Sequence, residues 1–271
     1  MKLPKALKTL APARFLYALW TLLAFLAVGL SALLLLALLP GQRARRFAAR
    51  GSARAFLRLA GLPLTVRGAE HLPAGQCVVV CNHASYLDGL VLTAALPPRF
   101  GFVIKREMAS VPLAGAALKR LGSEFVERFN RHRGAADARR VLRNADQGHS
   151  LVFFPEGTFP RTPGLLKFHT GAFATAVRAG CPLVPAAVSG TRRALPPSGG
   201  LPRPGAIELQ ILPALPPPDT DGDQAAAAVL LRQRARTAIL TALGEPDLTY
   251  SDDTARPPDT APARSARASR P

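Results

Sequence analysis

From Phe15 to Leu39 the chain carries no charged side chain and almost every residue is apolar. Twenty-five helical residues at about 1.5 Å each reach roughly 37 Å, enough to cross a hydrocarbon core of about 30 Å with some tilt. The run is too long for the apolar core of a cleaved signal peptide, and Pro40-Gly41 leads straight into a basic segment. On a helical wheel over residues 43–60, Arg43, Arg46, Arg50, Arg54 and Arg58 form one stripe. Ala48, Ala49, Ala55, Phe56 and Leu59 face the other way, while Phe47 and Leu57 break the division. Two readings of the stripe stand side by side: a basic amphipathic helix among anionic headgroups, or an arginine face packed on the domain that follows.

After Gly61 the pattern changes to short apolar runs alternating with helical periodicity. Strands are predicted at residues 64–67, 78–81, 100–104, 124–127, 151–154, 183–188 and 207–212. Helices are predicted at 87–96, 114–121, 135–145, 172–179 and 225–243. This alternation specifies an α/β fold, a mostly parallel sheet flanked by helices. Residues 196–204 and 213–223 are Pro-, Gly- and Asp-rich loops. The expected organisation is an N-terminal membrane anchor over 1–60, an α/β domain over 61–245 and a disordered tail over 246–271.

Charge sharpens the picture. Lys and Arg exceed Asp and Glu by 18, which suits an anionic partner: a phospholipid surface, a phosphorylated substrate, an acidic carrier protein or nucleic acid. Basic residues interleaved with aromatics, as in single-strand nucleic-acid binders, are absent, and so is zinc-finger spacing. Membrane or lipid is the better fit. Lys2, Lys5, Lys8 and Arg14 precede the apolar run, and Arg43, Arg45, Arg46, Arg50, Arg54 and Arg58 follow it. That balance favours a cytoplasmic C-terminal domain and leaves open a hairpin held in one leaflet. Heavy use of Arg, Ala, Pro and Gly matches GC-rich codons, hence the expectation of a bacterial inner membrane. Cys77, Cys81 and Cys181 are an odd number, and Cys77 and Cys81 with nearby His83 lack a fourth ligand at suitable spacing, so buried thiols are expected and a metal is not.

The candidate chemistry sits just past predicted strands. Val78-Val79-Val80-Cys81 runs into Asn82-His83-Ala84-Ser85-Tyr86-Leu87-Asp88, and open α/β sheets place sites beyond the carboxyl ends of strands. His83 and Asp88 can meet only if His83 lies in the turn and Asp88 in the first turn of the next helix. Asp88 would then fix the imidazole tautomer and leave the other nitrogen free as a base. Taken alone, this pair is a weak signal and fits a helix cap beside a satisfied loop histidine better. Ser85 lacks the Gly-x-Ser-x-Gly elbow, which argues against a covalent acyl-enzyme. A second group, Phe153-Phe154-Pro155-Glu156-Gly157-Thr158, ends another apolar strand. A third comprises Lys105-Arg106-Glu107, then Pro112, Gly115, Gly122 and Phe125-Val126-Glu127-Arg128, and a fourth runs from Val184 to Thr191.

In this order the four groups resemble the sequence blocks of the glycerolipid acyltransferases, the 1-acylglycerol-3-phosphate acyltransferase type, over residues 62–191. The resemblance implies His83 as general base and Asp88 as its orienting partner. It implies that Glu156, Gly157 and Thr158 bind the acceptor or support the site, that Arg128 contacts the acceptor phosphate and that Lys105 adds positive charge. The implied reaction moves a fatty acyl group from acyl-CoA or acyl-carrier protein to the sn-2 hydroxyl of lysophosphatidate, with no cofactor beyond the acyl donor. One departure stands out. Family members often have Arg directly after Glu-Gly-Thr, whereas here Phe159-Pro160 precedes Arg161. A different acceptor headgroup, such as that of a lyso-ornithine lipid, is therefore an alternative, as is a non-catalytic lipid-binding protein of the same fold. Lys167, His169, His71, His132 and His149 are expected to be surface, loop or packing residues.

Overall fold

The computed structural model describes residues 5–127 and 131–249. The apolar run and the arginine-striped segment fold as two helices, α1 (Lys5–Leu38) and α2 (Gln42–Leu59). The turn between them passes through Gly41 at φ 72°, a conformation that a side chain disfavours. The pair is antiparallel. Tyr17 Oη and Trp20 Nε1 donate to Ala60 O and Leu59 O at 2.6 and 2.7 Å, and Phe25 meets Phe56 edge-on at 5.6 Å. Leucines and aromatics such as Phe15, Leu23, Leu30 and Leu38 remain exposed on the outer face of α1.

Seven strands follow: β1 (Leu64–Arg67), β2 (Val78–Cys81), β3 (Phe100–Lys105), β4 (Glu124–Val126), β5 (Ser150–Phe153), β6 (Leu183–Ser189) and β7 (Ile207–Ile211). They form one sheet in the order β1-β7-β6-β2-β5-β3-β4. All pairings are parallel except β6 with β7. The mostly parallel architecture expected from the sequence is present. Helices α3 (Asp88–Ala95), α4 (Ala114–Arg120), α5 (Arg131–Asp146), α6 (Gly171–Arg178), α7 (Thr191–Ala194) and α8 (Gln224–Leu243) complete the domain.

Strand β2 is buried along its whole length, so every side chain must be apolar and its alternation serves two cores. Val79 and Cys81 pack with Ala53, Phe56 and Leu57 of α2 and with Val91 and Leu92 of α3. Val78 and Val80 pack with Phe168, Phe173, Leu231 and Ile239 on the opposite face, under α6 and α8. Helix α2 is thus part of the domain's core as well as the partner of α1. Cys77, Cys81 and Cys181 are all buried free thiols.

The arginine stripe packs inward. Arg50 and Arg54 donate to Ala94 O at 3.3 and 2.8 Å, and Arg50 also reaches Ala95 O at 3.0 Å. Arg46 donates to Leu121 O and Arg99 O, each at 2.9 Å. The last carbonyls of α3 and of the turn after α4 have no helical partner and carry partial negative charge, so guanidinium groups satisfy them. Arg43 and Arg58 of the same stripe stay exposed.

Helix α8 starts at Asp223, whose Oδ1 accepts from Ala225 N and Ala226 N at 2.9 and 3.0 Å. Past its end at Gly244 the chain returns to the domain. Leu165 N donates to Pro246 O and Leu248 N to Leu165 O. The expected tail boundary at 246 therefore falls within a segment hydrogen-bonded to the domain, and residues 250–271 lie outside the described residues.

Candidate active site

Registry sets the site. β2 pairs with β5 and β6, with Cys81 opposite Ala186 and Val80 opposite Phe153, so the carboxyl ends of three adjacent strands meet. Asn82 extends the β2–β6 pairing by one step: its side chain donates to Val188 O at 3.0 Å and accepts from Val188 N at 2.7 Å. This fixes the point where the chain leaves the strand, and His83 is the next residue.

The loop then closes on Asp88, the first residue of α3, which is fully buried. Its Oδ2 accepts from Ala84 N at 2.6 Å, from Ser85 N at 2.8 Å and from His83 Nδ1 at 2.8 Å. The first two contacts hold the turn. The third orients the imidazole and, with the proton on Nδ1, leaves Nε2 as an acceptor. Ser85 Oγ is committed to Leu195 O at 2.8 Å.

Glu156 follows β5 in the turn beside this loop and is 4% exposed. Its Oε1 accepts from His83 N at 2.6 Å and its Oε2 from Leu166 N at 2.8 Å. Burial pushes the carboxyl up to about 8; the two backbone donors and the field of Arg192 pull the other way without overcoming it, and the charge of Asp88 adds to the rise. Gly157, at φ 77°, turns the chain out of the site, and Thr158 is exposed.

Aromatic rings enclose the imidazole. Phe154 stacks on His83 with centroids 4.3 Å apart and planes at 20°, and Phe159 meets it edge-on at 4.7 Å. Tyr86, 68% exposed, in turn lies edge-on to Phe159 at 4.9 Å. The His83 side chain keeps 20% of its surface open. The loop bearing Phe159 is held by Arg192 of α7, which donates to Pro160 O at 2.9 Å and to Thr162 O and pairs with Glu245 at 3.3 Å.

The structure therefore brings His83, Asp88 and Glu156 together, with Gly157 and Thr158 following directly in the chain. Lys105, at the end of β3, and Arg161 are exposed. Arg128 lies outside the described residues. Lys167, His169 and His149 are exposed, and His71 Nδ1 contacts Ile211 O at 2.8 Å; the side chain of His132 is not among those described. Not evident from the sequence were the role of Asn82, the packing of Phe154 and Phe159 on the imidazole with Tyr86 behind Phe159, and Arg192. Only the aromatic cluster left a trace, in the Phe159-Pro160 insertion before Arg161.

Comparison with known proteins places the chain. A family model described as Acyltransferase matches residues 63–189. A 1-acyl-sn-glycerol-3-phosphate acyltransferase from Pseudomonas aeruginosa is 30% identical over 191 residues, 69% of this chain and 71% of that protein. A lyso-ornithine lipid O-acyltransferase from the same organism is 34% identical over 141 residues, 51% of this chain and 52% of that protein. The crystal structure of a 1-acyl-sn-glycerophosphate acyltransferase from Thermotoga maritima superposes with a TM-score of 0.67 at 19% identity, covering 84% of this chain and 97% of that one. The chain spans 38%, 56% and 65% of the length of matching relatives from Brassica napus, Caenorhabditis elegans and Bos taurus.

Proposed function

The chain belongs to the acyltransferase family, and on that premise we propose that it transfers a fatty acyl group from a thioester to the hydroxyl of a membrane lysolipid, with His83 as general base. The observation that carries this reading is the 2.8 Å contact of His83 Nδ1 with buried Asp88, which leaves Nε2 as the acceptor nitrogen of a side chain that keeps 20% of its surface open. Nε2 takes the acceptor's hydroxyl proton as the oxygen attacks the thioester carbonyl. A C–O bond forms, the C–S bond breaks, and the proton passes from Nε2 to the departing thiolate, giving ester and free thiol. Asp88 stabilises the imidazolium that forms in between. Glu156 acts as a support: both its oxygens hold backbone N–H groups, one of them that of His83.

Lysophosphatidate is the proposed acceptor, matching the named substrate of the first Pseudomonas relative, with acyl-CoA or acyl-carrier protein as donor. Arg128, Lys105 and Arg161 are the proposed headgroup cations. A second reading is favoured by Phe159. In lysophosphatidate the phosphate is about four bonds, roughly 5 Å, from the reacting oxygen, and an anion against ring carbons without a partner is disfavoured. An ornithine lipid has no phosphate, so its acceptor hydroxyl suits an aromatic wall better.

Attachment to one leaflet is proposed over a perpendicular span. α1 lies along α2, and α2 shares the domain's core, so a spanning α1 would draw the arginines of α2 into the hydrocarbon. The proposed location is the cytoplasmic face of a bacterial inner membrane. A thiol-release assay with the purified protein tests the function, presenting each donor with lysophosphatidate and lyso-ornithine lipid. Turnover with lysophosphatidate that disappears in His83→Ala supports the first reading. Preference for the ornithine lipid, reversed at least tenfold by Phe159→Arg, supports the second. Undiminished turnover in His83→Ala removes the mechanism.

A further inference from the structure

The segment between β3 and α4 holds apolar side chains outside the protein in a strained turn. Leu113 is 64% exposed with φ 59° and ψ −52°, and Ala114 N donates across it to Pro112 O at 2.6 Å. This is the γ-turn of positive φ, rare and strained for a residue with a side chain. Val111 beside it is 41% exposed. A glycine would relieve the strain and an aqueous surface would favour a polar residue, so the turn's effect is to present Val111, Pro112 and Leu113 as an apolar tip.

Continuity and charge identify what the tip meets. α4 is seven residues long, about 10 Å. It begins directly after Leu113 and ends at Arg120, whose Nη1 donates to Leu36 O of α1 at 3.1 Å. One short helix thus separates the tip from the end of α1, where Leu34, Leu35 and Leu38 are exposed. Lys105, Lys119 and Arg120, which flank the tip and α4 in sequence, are exposed, and Glu107 is the only acid between residues 105 and 120. An apolar tip among cations, continuous with an apolar helix, matches the boundary between anionic headgroups and acyl chains. β3 ends at the same edge of the parallel sheet as β2 and β5, the edge that carries His83 and Glu156.

We propose that residues 111–113 are a second membrane contact, entering the same leaflet as α1 and holding the His83 end of the sheet against the bilayer surface. The proposal rests on α1 lying in the membrane, and the test separates the two. Trp20, the chain's single tryptophan, reports on α1. Leu113→Trp in a Trp20→Phe background reports on the tip. Both full-length proteins are reconstituted into phosphatidylethanolamine–phosphatidylglycerol vesicles with and without acyl chains brominated near the headgroup. Bromination is expected to quench both tryptophans by half or more. Quenching of Trp20 with none at position 113 overturns the tip and keeps the anchor; quenching of neither overturns both. Val111→Asp with Leu113→Asp should lower turnover of bilayer-embedded acceptor at least tenfold and leave that of a short-chain, monomeric acceptor within twofold. An equal loss on both acceptors also overturns the proposal.

Discussion

Asp88 Oδ2 gathers three donors, two from the backbone of the turn and one from His83, so one oxygen sets both the loop and the imidazole. Glu156 plays the matching part from the next strand, and its raised pKa makes a specific prediction. Below about 4.5 the carboxyl is protonated folded or unfolded; as pH rises toward about 8 the unfolded chain releases that proton while the folded one retains it. The folded state then binds more protons, so this group's contribution to stability falls across that window. Glu156→Gln leaves an amide N–H₂ facing one of two backbone donors, a loss of about 1–3 kcal/mol. Urea unfolding in detergent should therefore find the variant less stable than the native protein at pH 5, with the gap narrowing by pH 8. A gap that widens with pH would contradict the assignment.

At the scale of elements, α2 does two things that its composition alone does not separate. One side receives α1 through Phe56 and the carbonyls of Leu59 and Ala60; the other places Arg46, Arg50 and Arg54 on the carboxyl ends of α3 and the turn after α4. α3 begins at Asp88, so the helix gripped at its end by arginines is the one that orients His83 at its start. Arg50→Met with Arg54→Met strips Ala94 O and Ala95 O of their charged donors. Thermal unfolding should show a loss of about 1–3 kcal/mol, with vesicle binding retained because the apolar face of α1 is untouched. Loss of binding with unchanged stability would mean that these arginines serve the membrane and not the helix ends.

For the whole molecule, the layering of α1 on α2 and of α2 on the sheet decides how the protein can meet a bilayer. With α1 lying along the protein, both its ends should be on one side of the membrane. Single cysteines replacing Lys8 and Lys119 should react with an impermeant maleimide from the same face of sealed vesicles, the native thiols being buried. Labelling from opposite faces would establish a spanning α1.

Strand positions, helix positions and the mostly parallel sheet were legible from apolar period alone, because β2 is buried on both sides and its neighbours β5 and β6 are largely so, which keeps these strands mostly apolar. His83 and Asp88 were legible as a pair able to meet, because one follows such a strand and the other opens the next helix; their roles, and that of Glu156, were implied only by the resemblance of the four groups to a known family. α7 escaped notice, since its four residues are too few to show a period. The rest depended on contacts between residues distant in sequence. A helical wheel cannot say whether an arginine stripe faces lipid or carbonyls, because both offer negative charge; only the folded chain brings Arg46 to the carbonyls of Arg99 and Leu121 and brings Arg50 and Arg54 to those at the end of α3. Nor can a motif tell that Phe159 would lie against the imidazole, since that follows from Arg192 holding the loop from another strand's end. The sequence determined the elements, and the positions from which His83 and Asp88 can meet, through local chemistry. The tertiary structure alone decided what surrounds that pair and which faces remain for the membrane, because those depend on partners that the chain brings together only when folded.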